Sequence, residues 1–343
     1  MEKEYPKNMV QFPQVIFGTS SLGNLYQSID YDTKRDIIKE CIAHSPGNAL
    51  FDTAGKYGAG LALEILGKAL SELQVDPDEV VICNKLGWYQ TELLGPEPTF
   101  EKGIWKQLKN DAIQTISYDG ILKCFDQGNA LLGKYKAKMV SVHDPDEYLE
   151  MAGAGLEYEK RYGDILEAYR ALRDLKSQGL VSSIGIGAKN WRVIERITQD
   201  VSLDWVMIAN SLTLKLHPAD LIQFVSELKM KGVLVINSAV FNGGFLTGSD
   251  FYNYRKVERD NEADQALYEW RAKFFKLCDR FGVKPAEACV YFSFNVRGID
   301  SLALNTTRPE KIKENITMVN HKIPAEFWNA MKEEELITIS PAT

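Results

Sequence analysis

The chain has 343 residues, 45% hydrophobic and 25% charged, enough to bury a large core in one barrel-sized domain or two smaller ones. Its net charge is −7 with no sustained Lys/Arg run, which speaks against nucleic acid or an anionic membrane as partner, since both demand a basic surface. No apolar run approaches the ~18 residues that span a bilayer, no signal core is visible, and the five cysteines (Cys41, Cys83, Cys124, Cys278, Cys289) show no C-x-x-C or His/Cys ligand spacing. The expectation is a reduced, cytoplasmic protein with neither a disulfide framework nor zinc.

Short apolar or β-branched runs recur in the order QVIFGTS, ALFDTA, VVICNKLG, KMVSVHD, VSSIGIG, DWVMIAN, GVLVINSA and DSLALN. Helical periodicity fills the intervals at 33–44, 60–73, 119–133, 162–178, 191–199, 218–229 and about 263–297, and 309–318 follows the last run. Apolar runs bounded by turn residues suit strands buried on both faces. Eight such βα units predict an α/β fold of the closed (β/α)8 TIM barrel type rather than an open sheet. No linker divides the chain, so 1–343 is expected to be a single domain. Two stretches exceed the minimal repeat, 87–117 after the third strand and 242–262 after the seventh. Long βα loops at these places form lids and pocket walls at the catalytic face, or are plain surface excursions.

Chemistry is concentrated at three strand ends. FDTAGKYG puts Asp52 at the end of the second strand and Tyr57 five residues on; the third strand ends at Lys85 and the fourth at His143. Parallel barrel strands all end at one mouth, so these residues can converge. A phenol ionises near pH 10, too weakly for proton transfer at neutral pH. A lysine ammonium beside it is expected to lower that pKa, with Asp52 holding the lysine charged and His143 aligning the reacting oxygen. Singly, Asp52 reads equally as a helix cap, Tyr57 as packing, Lys85 as a solvated residue and His143 as part of a turn; together they suit carbonyl–alcohol interconversion by hydride transfer without a metal.

These four residues resemble the Asp–Tyr–Lys–His tetrad of the aldo-keto reductase family, and FDTAGKYG is similar to its F-D-T-A-x-x-Y-G signature. The likeness runs from FGTSSLGN to RPEKIKENI. It implies a (β/α)8 barrel that binds NAD or NADP without a Rossmann fold. The family's nicotinamide-binding Ser-Asn pair is replaced by IGIGAKNW, which resembles an aldose dehydrogenase branch and puts Ala188, Lys189 and Asn190 near the amide. By the same resemblance Asn210 and Ser238 lie at the nicotinamide. In the segment 239–248, Asn242, Gly243 and Gly244 leave room for a pyrophosphate, and Phe241 is either core or a nicotinamide neighbour. Asn305, Thr306, Arg308 and Lys311 are placed at the ribose 2′-substituent, and Glu314 and Asn315 at the adenine.

YDGIL, HDPDE and FNGG resemble the D-threo-aldose 1-dehydrogenase branch, which includes fucose, galactose and pyridoxal dehydrogenases, although Lys123, Cys124 and Gly128 depart from its pattern. The implied reaction is oxidation of an aldose at C1 to its lactone with Tyr57 as base, on flat faces supplied by Trp88, Tyr89, Tyr252 and Tyr254. A reductase of aldehydes or ketones uses the same groups in reverse. A regulatory barrel that only binds NADP(H) is the remaining reading, and the intact tetrad weighs against it.

Overall fold

The computed structural model describes residues 12–341. In chain order its strands and helices are β1 (Val15–Gly18), α1 (Tyr31–His44), β2 (Ala49–Ala54), α2 (Leu61–Glu72), β3 (Val80–Leu86), β4 (Trp88–Glu92), β5 (Asn110–Gln114), α3 (Tyr118–Leu131), β6 (Met139–His143), α4 (Pro145–Glu150), α5 (Leu156–Ser177), β7 (Ser183–Ala188), α6 (Trp191–Asp200), β8 (Trp205–Ala209), α7 (Ala219–Met230), β9 (Leu234–Ser238), β10 (Phe251–Tyr252), β11 (Arg255–Lys256), α8 (Glu262–Phe281), α9 (Pro285–Phe294), β12 (Ser301–Leu304), α10 (Ile312–Met318) and α11 (Ala325–Glu333). Eight strands close a parallel barrel in the order β1-β12-β9-β8-β7-β6-β3-β2, as the alternation of apolar runs and helical segments predicts. Among the described residues no helix is long and apolar enough to cross a membrane.

Local chemistry explains the boundaries. Asp30 caps α1 by accepting from the Thr33 N–H, Ser117 caps α3 through Gly120, and Asn261 caps α8 through Ala263. The stretch expected as one helix over 263–297 is two, because Gly282 stops α8 in a left-handed conformation and Pro285 starts α9. The α5 helix begins earlier than its periodicity predicts, and α4 and α11 were not foreseen. Each long loop carries a small antiparallel ladder, β4 with β5 and β10 with β11.

Period-2 alternation decides what fills the barrel. Leu50, Cys83, Met139 and Trp205 point inward as an apolar layer, while Phe51, Ile82 and Val140 belong to the core between strands and helices. Two residues further along, the same inward rows carry Asp52 and Lys85, and the β6 row continues to His143. The barrel floor is apolar and its mouth is charged. On β7 the inward positions are glycines: a Cβ on Gly185 would lie 2.2 Å from the Trp205 ring, and one on Gly187 would lie 2.8 Å from Lys85 Cδ. Trp205 from the adjacent β8 and Lys85 from β3, two strands away, therefore reach across the barrel over β7.

Candidate active site

Lys85 Nζ lies 2.5 Å from Asp52 Oδ1 and 3.3 Å from the Thr53 carbonyl, with the lysine only 2% exposed. The same Nζ is 4.6 Å from the centroid of the Tyr57 ring, and that ring meets His143 edge-on at 5.7 Å. Tyr57 stands on a tight turn after β2 in which Gly58 has φ +62° and abuts Gly23; any Cβ on Gly58 would sit 2.4 Å from the Gly23 carbonyl oxygen. Four residues distant in sequence thus meet at one end of the barrel.

The electrostatics differ from the expectation that Lys85 acidifies the phenol. Burial pushes Tyr57 well above its ordinary pKa, and the Asp52 charge adds to the rise. Lys85 faces Asp52 as an ion pair, and burial favours the protonated phenol. Burial likewise pushes Asp52 upward against the pull of Lys85. His143 is driven well below its usual value by burial, with Lys85, Lys56 and Lys189 acting the same way against Asp144, and is a neutral imidazole. Its buried Nδ1 has no hydrogen-bond partner.

A second charged cluster adjoins this set, and of its members only Lys189 is among the residues expected from the sequence. Lys56 Nζ reaches Asp144 Oδ2 at 2.7 Å, Glu147 Oε2 at 2.8 Å and Glu101 Oε1 at 2.9 Å. Lys189 Nζ pairs with Glu147 and lies 3.8 and 3.9 Å from Glu101 and Asp144. Although burial opposes its charge, these carboxylates hold Lys56 well above the ordinary lysine range. Glu101 also accepts from Trp105 Nε1 at 2.7 Å, which ties the long loop after β4 to the barrel mouth. Periodicity gave no sign of the cluster because its members come from four separate loops.

A cavity of about 730 Å³ connects these groups with the far side of the mouth, a size usual for cofactor and ligand sites. Its lining includes Asp52, Tyr57, Lys85, His143, Ala188, Lys189, Ser238, Phe241, Gly243, Gly244, Asn305, Thr306, Arg308, Lys311, Glu314, Asn315 and Tyr254. Tyr254 (φ +67°) follows Asn253 (φ +49°) in the two-residue turn of the β10–β11 hairpin, which presents its ring to the cavity. The ring lies 4.7 Å from Lys189 Nζ.

Six residues expected at the site are not in this lining. Asn190 caps α6 through the Arg192 N–H. Asn242 is fully buried and donates to Asn253 Oδ1, and Asn210, buried beside it, has an Oδ1 without a partner. Trp88 is packed against Phe100 beneath Lys56, Tyr89 belongs to the β4–β5 ladder, and Tyr252 meets Phe245 edge-on. The flat wall beside Tyr57 is instead Trp105, at 5.9 Å between ring centroids.

The far end suits a dinucleotide by its donor set. Arg308 has no carboxylate within 4 Å among the described residues, Lys311 lies beside it, and consecutive left-handed residues Asn242, Gly243 and Gly244 turn the backbone at the wall. Anionic groups are favoured there and a transferable proton at the Tyr57 end. The class these two ends define is the nicotinamide-using oxidoreductase.

Comparison with known proteins sharpens that class. The profile of the aldo/keto reductase family matches residues 14–335, and the chain belongs to that family. The protein is an NAD(P)-dependent oxidoreductase. It is 25% identical over 335 residues to a pyridoxal 4-dehydrogenase of Microbacterium luteolum, covering 94% of this chain and 93% of the relative. It is 24% identical over 336 residues to a D-threo-aldose 1-dehydrogenase of a Pseudomonas species, covering 95% and 94%. Among solved structures, the glycerol dehydrogenase of Gluconobacter oxydans superposes with a TM-score of 0.67 at 16% identity, covering 96% of this chain and 94% of that one. The holo form of an aldo-keto reductase from Bacillus halodurans gives 0.66 at 17%, covering 96% and 93%. At these identities the structural likeness speaks for the fold.

Proposed function

We propose that the protein oxidises an aldose of the fucose or galactose type at C1, giving the lactone. The observation that carries this reading is the pairing of a flat indole, Trp105, beside Tyr57 with hydrogen-bond acceptors on Glu101 and Asp144, all lining one cavity. A sugar ring has a C–H face for the indole and hydroxyls for the carboxylates. The 24% identical aldose dehydrogenase supports the same substrate class.

When bound, NAD or NADP supplies the hydride acceptor. Asn305, Thr306, Arg308 and Lys311 would face its ribose substituent, Glu314 and Asn315 the adenine, Gly243 and Gly244 the pyrophosphate, and Ser238, Phe241 and Lys189 the nicotinamide. The remaining work belongs to the tetrad. His143, neutral, hydrogen-bonds the C1 oxygen and aligns it with Tyr57. The C1 hydrogen leaves with its electron pair, the hydroxyl proton passes to the Tyr57 oxygen, and the C1–O bond becomes the lactone carbonyl. Tyr57 must be phenolate to accept that proton, while Lys85 and Asp52 hold the pocket around it.

One observation favours a second reading, reduction of an aldehyde or ketone: the buried Tyr57 keeps its proton and so stands ready as an acid. The 25% identical pyridoxal dehydrogenase adds pyridoxal to the substrates worth assaying. The experiment is NAD(P)H formation across a panel of aldoses and pyridoxal, with each cofactor, alongside carbonyl reduction. Saturable turnover with lactone formation is expected for at least one aldose. Reduction of carbonyls with no aldose oxidised refutes the first reading, and cofactor binding without turnover of any kind refutes both.

A further inference from the structure

We propose that the Lys56 cluster makes the substrate end of the cavity selective for uncharged polyhydroxylated substrates over phosphorylated or carboxylated ones. This rests on reading the Tyr57 end as the place where substrate binds.

Lys56 Nζ donates to Asp144 at 2.7 Å and Glu147 at 2.8 Å and faces Glu101 Oε1 as an ion pair at 2.9 Å. Its charge is enclosed by three carboxylates. Lys189 is paired with Glu147 and lies within 4 Å of Glu101 and Asp144, and Lys85 is bound to Asp52. No ammonium at this end carries uncompensated positive charge. Three carboxylates against two ammoniums leave the cluster one negative charge in excess, among side chains of which Lys56 and Asp144 are 3% and 6% exposed. A phosphate or carboxylate placed here would lose its water and find a like charge where it needs a counterion.

Hydroxyls face the opposite situation. Glu101 Oε2 accepts a single hydrogen bond, from Trp105 Nε1, and Oε1 faces the ammoniums of Lys56 and Lys189 as an ion pair, so both oxygens keep lone pairs for a hydroxyl. Among the described residues Asp144 Oδ1 has no hydrogen-bond partner, while its other oxygen holds Lys56. The wall is rich in acceptors and its cations face carboxylates, which suits a polyol. The cation without a carboxylate partner among those lining the cavity, Arg308, is at the other end, so an anion is drawn away from Tyr57.

The test compares kcat/KM within two matched pairs: D-glyceraldehyde against D-glyceraldehyde 3-phosphate in reduction, and D-galactose against D-galacturonate in oxidation. Wild type is expected to prefer the neutral member of a pair by about a hundredfold or more. Glu101→Gln and Glu147→Gln each keep an acceptor while removing one negative charge, and each should narrow that preference by about tenfold. Having two variants keeps the test readable if one fails to fold. A wild-type preference below about threefold, an unchanged preference in the folded variants, or no turnover of either neutral member overturns the proposal. Selectivity in the glyceraldehyde pair with every aldose of the panel inert would overturn the aldose reading and uphold this one.

Discussion

Replacing Lys85 by Met separates what the buried pair does for stability from what it does for catalysis. Methionine fills nearly the same space, so the aliphatic contact over Gly187 survives and little cavity opens. What is lost is the ammonium 2.5 Å from Asp52, whose side chain is 4% exposed. Breaking a buried ion pair on one side costs about 3–5 kcal/mol, because the remaining charge has no partner. Asp52 is already pushed above its usual 3.8 by burial, and Lys85 is the first influence opposing that rise, so its removal sends the carboxyl higher. The folded variant then binds a proton that the unfolded chain releases. Its stability should therefore fall as pH rises from the unfolded carboxylate value to the folded one, and be greater at pH 5 than at pH 8. Adding Asp52→Asn removes the stranded charge and should restore stability to within about 1–2 kcal/mol of wild type. Turnover should stay below about one hundredth of wild type in both variants. Urea unfolding from pH 5 to 9 reads all of this. A single variant less than about 1 kcal/mol below wild type, or a double variant no better than the single, would refute the reasoning.

Tyr57→Phe should fold as wild type and lose about 10²- to 10⁴-fold in kcat, because the ring contacts with His143 and Trp105 remain while the transferable proton goes; activity within about threefold of wild type, far short of that loss, would remove Tyr57 from the mechanism. Since burial raises its pKa, oxidation should accelerate with pH through the alkaline range while reduction does not, and an oxidation rate independent of pH from 7 to 10 would contradict that assignment. For cofactor choice, Lys311 is held by Glu314 at 2.5 Å and Arg308 alone is left for a 2′-phosphate, so the two cofactors should differ by less than about a hundredfold in kcat/KM. Glu314→Gln should move the balance toward NADP by releasing Lys311; a shift toward NAD would show that this corner does not meet the ribose. Asn305→Lys should move it the same way, less cleanly, because it breaks hydrogen bonds to Ser20 and Ser21.

The sequence made the barrel and its mouth legible because both depend on local regularities. Apolar runs with period-2 interiors place residues 50, 83 and 139 inward, and the same count carries Asp52, Lys85 and His143 to the rim. The break at Gly282 and Pro285 was readable from those two residues but was masked by continuous periodicity on either side. The Lys56 cluster was not legible, since a lysine before Tyr57 and a glutamate in a distant loop share no spacing. Composition marked the loop over 87–117, yet could not say that Trp88 lies beneath Lys56 while Trp105 faces Tyr57, because the first follows from the hairpin register and the second from the pairing of Trp105 with the distant Leu25. Asn190 and Asn242 failed as cavity residues for a shared reason: each side chain is used by the backbone or a neighbour to build the turn it sits in.

The layout also reassigns the tuning of Tyr57. A lysine 4.6 Å from a phenol ring is an obvious acidifier when counted alone, but Lys85 has Asp52 against it and the two act at a distance as a dipole. From outside, a dipole's field falls faster than that of a single charge, and the Asp52 end raises the phenol's pKa. Of the neighbouring cluster, Asp144 raises it and Lys56, its chain neighbour, lowers it. Lys56 remains charged in its buried position because Asp144, Glu101 and Glu147 hold it there. The proton affinity of the catalytic residue is therefore tied to the cluster that forms the substrate wall. A substitution in Glu101 or Glu147, made to alter which substrate enters, should on this reasoning also displace the pH dependence of turnover.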